Sequence, residues 1–203
     1  LESVFCIIDF YDTLSFQKNN STKVNFETNS NEIDSTYNLV TKAYDVISNL
    51  YDIEGLDIFL DKKIPIGSGL GGGSSNAAVT LLALNDIFKL NISKDNLLKI
   101  SRDIGADVPF FINGGAAYIG GKGEIINNIP IDKKYFVLIL SNLNISTKDI
   151  YESLSSKDYM NSYSLDQLMA SNVNSFEQIV MSKYPSLKET KYWLSAFGSV
   201  RMS

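Results

Sequence analysis

The chain of 203 residues has no histidine and a single cysteine, Cys6. One thiol excludes an internal disulfide framework and any multi-cysteine metal site, which fits a reducing compartment. The missing histidine removes the His-Arg-Asp loop that a protein kinase needs. Acidic residues outnumber basic ones, 23 to 18, and the net charge of −5 gives a general nucleic-acid-binding role no electrostatic support. There is no apolar run of membrane-spanning length and no signal-peptide pattern, so a cytoplasmic location without membrane attachment is expected. With 44% hydrophobic and 20% charged residues, the rest reads as an ordinary globular protein, long enough for one large domain or two small ones.

Glycine, by contrast, is concentrated. Five of the eleven residues in Pro65-Ile66-Gly67-Ser68-Gly69-Leu70-Gly71-Gly72-Gly73-Ser74-Ser75 are glycine. The stretch lies between an alternating segment (Leu56, Ile58 and Leu60 against Asp57, Phe59 and Asp61) and a long apolar, alanine-containing one. That reads as strand, loop and helix, the helix running from Ser74 to about Lys89 and apolar nearly all round. Glycine lets the backbone take positive φ and lets a bulky anion approach its N–H groups, while the helix start adds free N–H groups and the positive end of its dipole. A polyphosphate suits such a loop; a plain flexible turn is the alternative. A P-loop requires Lys after the last glycine, and here Ser74 and Ser75 follow. Gly67, Gly69 and Gly72 match a dinucleotide fingerprint formally, but no acidic residue ends a second strand about twenty residues on.

The remaining chain reads as mixed strands and helices. Leu1 to Phe16 is strand material with both faces largely apolar, and Val24 to Glu27 is a short edge-like strand. Asp34 or Ser35 caps a helix through about Leu50, with Leu39, Val40, Ala43, Val46, Ile47 and Leu50 as its stripe. Lys62 and Lys63 precede the loop, either solvated or reaching a nucleotide. Ser93 caps a helix from Lys94 to about Ile104 that stops at Gly105. Asp107 then enters the apolar run Val108-Pro109-Phe110-Phe111, where an acid is either a turn cap or functional. Strands follow around Gly114 to Gly121 and at Glu124 to Ile126, with a boundary at Pro130 to Lys134. Tyr135 to Leu140 reads as a buried strand. Residues 165–170, 175–182 and 186–197 read as helices, and a strand starts near Val200.

The loop form Pro-x-Gly-x-Gly-Leu-Gly-x-x-Ser-Ser resembles the second motif of the small-molecule kinases related to galactokinase, homoserine kinase, mevalonate kinase and phosphomevalonate kinase. Pro65 to Ser75 followed by Asn76-Ala77-Ala78, with Gly105-Ala106-Asp107-Val108-Pro109-Phe110-Phe111 about thirty residues later, is similar to the branch acting on 4-diphosphocytidyl-2-C-methyl-D-erythritol. The resemblance implies an α+β, two-domain small-molecule kinase fold. Residues 1–129 would form an N-terminal ATP-binding, ribosomal-protein-S5-like domain, and residues 130–203 a C-terminal ferredoxin-like, substrate-side domain, with substrate between them. It implies ATP and Mg2+ as cofactors. Residues Pro65, Ile66, Gly67, Ser68, Gly69, Leu70, Gly71, Gly72, Gly73, Ser74 and Ser75 would hold the nucleotide with Asn38 and Lys62, Asn38 lying near the adenine unless it simply caps a helix.

The same resemblance makes Asp107 the catalytic residue, Ser75 a Mg2+ ligand unless it caps the helix, and Thr147 and Tyr151 the contacts to the cytidine. Tyr151 as a core-facing aromatic remains open. Asn174-Ser175-Phe176-Glu177 departs from the family segment, Ser175 replacing an acid. The first and third family motifs, including a strand lysine, are not in these residues, so a longer parent chain is expected at both ends. The implied reaction is ATP-dependent phosphorylation of the 2-hydroxyl of the cytidine diphosphate-linked methylerythritol, in the non-mevalonate route to isoprenoid precursors. A kinase for another small alcohol, such as mevalonate or homoserine, and a non-catalytic nucleotide-binding module stay open.

Overall fold

The computed structural model describes residues 2–141, 143, 145, 147–154, 164–170 and 174–202. They fall into two units: Ser3–Ile66 with Gly71–Val137, and Leu138 onward with Glu2 and Gly67–Leu70.

The first unit carries two three-stranded sheets. One has the order β2 (Thr13–Lys18), β4 (Leu56–Asp61), β3 (Asn25–Thr28). Strand β2 runs antiparallel to β4 with Phe16 opposite Ile58, and β3 runs parallel to β4 with Phe26 opposite the same residue. Alternation in β4 places Leu56, Ile58 and Leu60 in the core and leaves Phe59 exposed. The core-facing side of this sheet meets α1 (Leu39–Leu50), α2 (Gly72–Ile87) and α3 (Lys94–Arg102) through one cluster that includes Ile47, Ile58, Leu60, Leu81, Leu84 and Leu97. Each fully buried leucine there contributes about 1.5–3 kcal/mol. The other sheet has the order β1 (Glu2–Cys6), β5 (Ala116–Gly120), β6 (Ile125–Asn128). Ala117 and Ile119 of β5 pack with Phe110 of the short helix α4 (Val108–Asn113), and Phe5 stands edge-on to Phe110 at 5.3 Å.

Several expectations need correction. Residues up to Phe16 form two strands in different sheets rather than one, with Leu1 outside the described residues. The break includes Asp12, whose charge is satisfied by side-chain and backbone donors rather than by a strand ladder. Helix α1 starts at Leu39 with Asn38 as its N-cap, while Asp34 instead accepts from the Thr36 and Tyr37 N–H groups in the turn before it. Helix α2 starts at Gly72, two residues before Ser74. Nor is it buried all round: Val79 and Leu82 are exposed, while Asn76 and Thr80 are buried.

In the second unit, α5 (Thr147–Tyr151), α6 (Leu165–Ala170), α7 (Glu177–Lys183) and α8 (Pro185–Leu194) follow in order. Ile150 and Val180 are buried, and Lys183 Nζ donates to Ser153 Oγ at 2.6 Å. Lys191 pairs with Glu177, joining α8 to α7. Tyr135–Leu140 is neither buried nor a strand: it takes no regular structure, and Tyr135 and Val137 are 86% and 88% exposed. An apolar run becomes a strand only when another strand offers ladder partners, and none of the described residues pairs with it. The residues around Val200 likewise carry no strand.

Candidate active site

The segment that leaves β4 is held by side chains distant in sequence. Lys62 N–H donates to Asn29 Oδ1 at 2.8 Å. The next two N–H groups, of Lys63 and Ile64, both donate to Asp12 Oδ1 at 2.7 and 2.8 Å. Asp12 Oδ2 accepts from Asn76 Nδ2 of α2 at 2.9 Å and pairs with the Lys62 ammonium at 2.9 Å. The ammonium also donates to the Ile64 carbonyl. The Asp12 side chain is 0% exposed and that of Lys62 is 8% exposed. Burial pushes the Asp12 carboxyl up, but the donors from Ile64, Lys63, Lys62 and Asn76 outweigh it and hold the group below the ordinary aspartate range.

After Pro65 and Ile66 the loop takes positive φ at Gly67 (71°), Gly69 (75°) and Gly71 (67°), with negative φ between them. Alternating φ signs are the backbone form in which successive N–H groups can face one anion. Gly71 is the N-cap of α2, and no side chain caps the helix. The N–H groups of Gly72, Gly73 and Ser74 therefore lack intrahelical acceptors, and the first turn carries no acidic residue to compete with a phosphate. Neither Ser74 nor Ser75 caps the helix, which leaves the Ser75 hydroxyl available to a ligand.

Gly71 also sits against α4: a Cβ there would stand 2.8 Å from Phe111 Cζ. Asp107 immediately precedes that helix, with φ −90° and ψ −13°, yet its side chain does not cap it. Among the described residues nothing donates to the Asp107 carboxylate, and burial pushes its pKa above the ordinary value of 3.8. The segment before it is braced by Gly123, where a Cβ would meet the Ala106 carbonyl at 2.7 Å. A half-buried carboxylate to which no described residue donates is a candidate proton acceptor.

Beside the loop entry lies a cavity of about 370 Å3, lined by Asn29 to Glu32 and Lys62 to Ile66. Asn38, expected near the adenine, caps α1: its Oδ1 accepts from Val40 and Thr41 N–H at 2.9 and 3.0 Å, and Nδ2 donates to the Asp34 carbonyl. Lys62 is not solvated. Its ammonium pairs with Asp12, fifty residues away, and donates to the Ile64 carbonyl. Tyr151 is 47% exposed and stands edge-on to Phe176 at 4.9 Å, so one side of its ring is packed within the second unit. Thr147 begins α5, and its side chain lies outside what is described.

Sequence reasoning missed Asp12, Asn29 and Asn76. The available signals were an acid interrupting an apolar segment and an asparagine in an otherwise apolar helix. Among the described residues there is no cluster of three or more acidic or cysteine side chains able to hold a metal. No described helix is long and apolar enough to cross a membrane.

The family model described as GHMP kinases N terminal domain matches residues 38–115, which include the loop and Asp107. A 4-diphosphocytidyl-2-C-methyl-D-erythritol kinase from Francisella philomiragia is 37% identical over 192 residues, covering 93% of this chain and 70% of the relative. One from Buchnera aphidicola is 34% identical, covering 100% of this chain and 73% of the relative. The crystal structure of a 4-(cytidine 5'-diphospho)-2C-methyl-D-erythritol kinase superposes with a TM-score of 0.71 at 28% identity, over 91% of this chain and 69% of that one. A homoserine kinase from Cytophaga hutchinsonii shares the fold at a TM-score of 0.57 and 19% identity, over 78% of this chain and 54% of that one. With its phosphate-type loop, its free aspartate and these likenesses, the chain belongs to the 4-diphosphocytidyl-2-C-methyl-D-erythritol kinase family within the GHMP kinases.

Proposed function

We propose that the protein transfers the γ-phosphoryl group of ATP to the 2-hydroxyl of 4-diphosphocytidyl-2-C-methyl-D-erythritol, a step of the non-mevalonate route to isoprenoid precursors. The observation that carries this reading is Asp107, a half-buried carboxylate to which none of the described residues donates. It heads a helix whose Phe111 packs on the N-cap of the glycine-loop helix.

The N–H groups of the glycine loop and of the first turn of α2 hold the nucleotide phosphates by hydrogen bonds and dipole, at no cost in rearrangement. The cavity at the loop entry, lined by Asn29 to Glu32 and Lys62 to Ile66, is the candidate seat of the base, and the family resemblance adds Asn38 near the adenine. A magnesium ion would be held by Ser75 Oγ, with phosphate and water supplying its other ligands, since the described residues carry no cluster of acidic ligands. When bound, that ion offsets the charge of the phosphates. Asp107 accepts the proton of the substrate hydroxyl as the oxygen attacks phosphorus, and ADP departs with the bond electrons. Its raised basicity favours this role. Thr147 and Tyr151 hold the cytidine, Tyr151 by stacking on the base. In this reading residues 1–129 belong to an ATP-binding domain and residues 130–203 to a substrate-side domain, in a cytoplasmic enzyme.

The test is ADP release by the full encoded protein with Mg-ATP and four alcohols: the cytidine-linked methylerythritol, mevalonate, homoserine and galactose. Release with the cytidine compound alone is expected. Release with another alcohol would keep the loop and Asp107 but discard the cytidine pocket. ATP binding without release in any case would leave a nucleotide-binding module.

A further inference from the structure

We propose that Asp12 is the positioning residue of the phosphate loop: one buried carboxylate that ties the chain entering the loop to the helix leaving it. The inference rests on the nucleotide reading of that loop. Asp12 lies in the connection between β1 and β2, outside both sheets and outside the hydrophobic core. Its Oδ1 takes the consecutive N–H groups of Lys63 and Ile64, which fixes the backbone direction just before Pro65. Its Oδ2 takes Asn76 Nδ2, one turn into α2, on the far limb of the loop. Both limbs are thus referred to one rigid, fully buried group, and the glycines between them need not find their geometry alone.

The charge matters as much as the geometry. A carboxylate beneath a polyphosphate seat would repel it in a poorly screened interior. Lys62 removes that penalty: its ammonium meets Asp12 at 2.9 Å and lies close under the start of α2, where a Cβ on Gly72 would be 3.3 Å from its Nζ. Lys62 therefore acts on the nucleotide through Asp12 and the backbone, as the neutralising half of a buried pair.

Asp12→Asn, Asp12→Ala and Asn76→Ala in the full encoded protein test this, with Kd for Mg-ATP, KM for each substrate and thermal melting measured together. Misplacing a held group by about 1 Å costs up to about a hundredfold. We expect ATP to bind about tenfold more weakly in Asp12→Ala, less so in Asp12→Asn, which keeps an acceptor for the two N–H groups. KM for the alcohol should stay within about twofold, and the Asp12→Ala and Asn76→Ala effects should be less than additive because they share one network. Variants that melt lower yet bind ATP like the wild type, or in which both KM values rise alike, would overturn the proposal and leave Asp12 a stabilising group only. If Asp12→Ala does not fold, Asp12→Asn and Asn76→Ala carry the same test. A wild-type protein that does not bind Mg-ATP would instead overturn the nucleotide reading, and this inference with it.

Discussion

Phe111 closes off the space beside the α-carbon of Gly71, so that a Cβ there would lie 2.8 Å from its ring. The contact joins the helix that follows Asp107 to the residue from which the phosphate-type loop enters α2. Gly71 is doubly required, since its φ of +67° is itself strained for any residue with a side chain.

Gly71→Ala is expected to weaken ATP binding by at least about tenfold, with about 1–2 kcal/mol lost to the left-handed backbone alone. Combining it with Phe111→Leu should relieve the clash but not the backbone strain, so recovery of affinity will be partial. Calorimetric titration with Mg-ATP measures both. Full affinity in the single variant would show that the loop does not need this geometry.

Asp107→Asn should lower kcat by about 10²–10⁴-fold while leaving ATP affinity near that of the wild type. Its effect on stability has the opposite sign. Burial raises the folded-state pKa, so the favourable contribution of the protonated acid is complete below the ordinary value of 3.8 and is lost as pH rises through the raised one. At neutral pH the buried charge therefore destabilises, and the asparagine variant should melt higher than the wild type. Melting curves at neutral and acid pH test the sign.

The same raised pKa predicts the acid limb of activity. Turnover should fall with decreasing pH through a group above the ordinary aspartate range. A pH profile of kcat/KM reads the group in the free protein, and a limb at or below 3.8 would argue against Asp107 as the acceptor.

For the buried pair, Lys62→Met leaves the Asp12 carboxylate uncompensated and should cost about 3–5 kcal/mol of stability. Asp12 also sets an acid dependence of the usual sign: its folded pKa is lowered, so its contribution is present above 3.8 and disappears as pH falls through the lowered value. The double change Asp12→Asn with Lys62→Met should cost less than the sum of the singles. Denaturant unfolding of the four proteins measures the coupling.

Tyr151→Ala should raise KM for the cytidine substrate by about 10–100-fold, the usual worth of one stacked base, with KM for ATP unchanged. Tyr151→Phe keeps the ring and should behave like the wild type.

The glycine stretch and the Asp107 segment declared themselves in the sequence because both depend on local chemistry. Glycine accepts the positive φ values at residues 67, 69 and 71 without strain, and an acid entering an apolar helix start is visible without a structure. Periodicity likewise located α1, α3 and β4, since side-chain spacing along a helix or strand is a local property. Helix ends were less legible: Asn38 rather than Asp34 caps α1, and Gly71 rather than a serine caps α2, because backbone direction at a helix start depends on what packs there.

Tyr135–Leu140 shows where local reasoning stops. Its apolar character alone cannot provide the neighbouring strand that a ladder requires. Asp12, Lys62 and Asn76 lie further beyond reach. Asp12 and Asn76 stand out only as polar residues in apolar stretches, and their meaning arises when fifty or more residues of chain fold back to bring the three within 3 Å. The sequence by itself determined the loop, the acid and the family they belong to. Tertiary structure alone decided what holds that loop, because a buried carboxylate is defined by its donors, and those donors come from elements that only packing brings together.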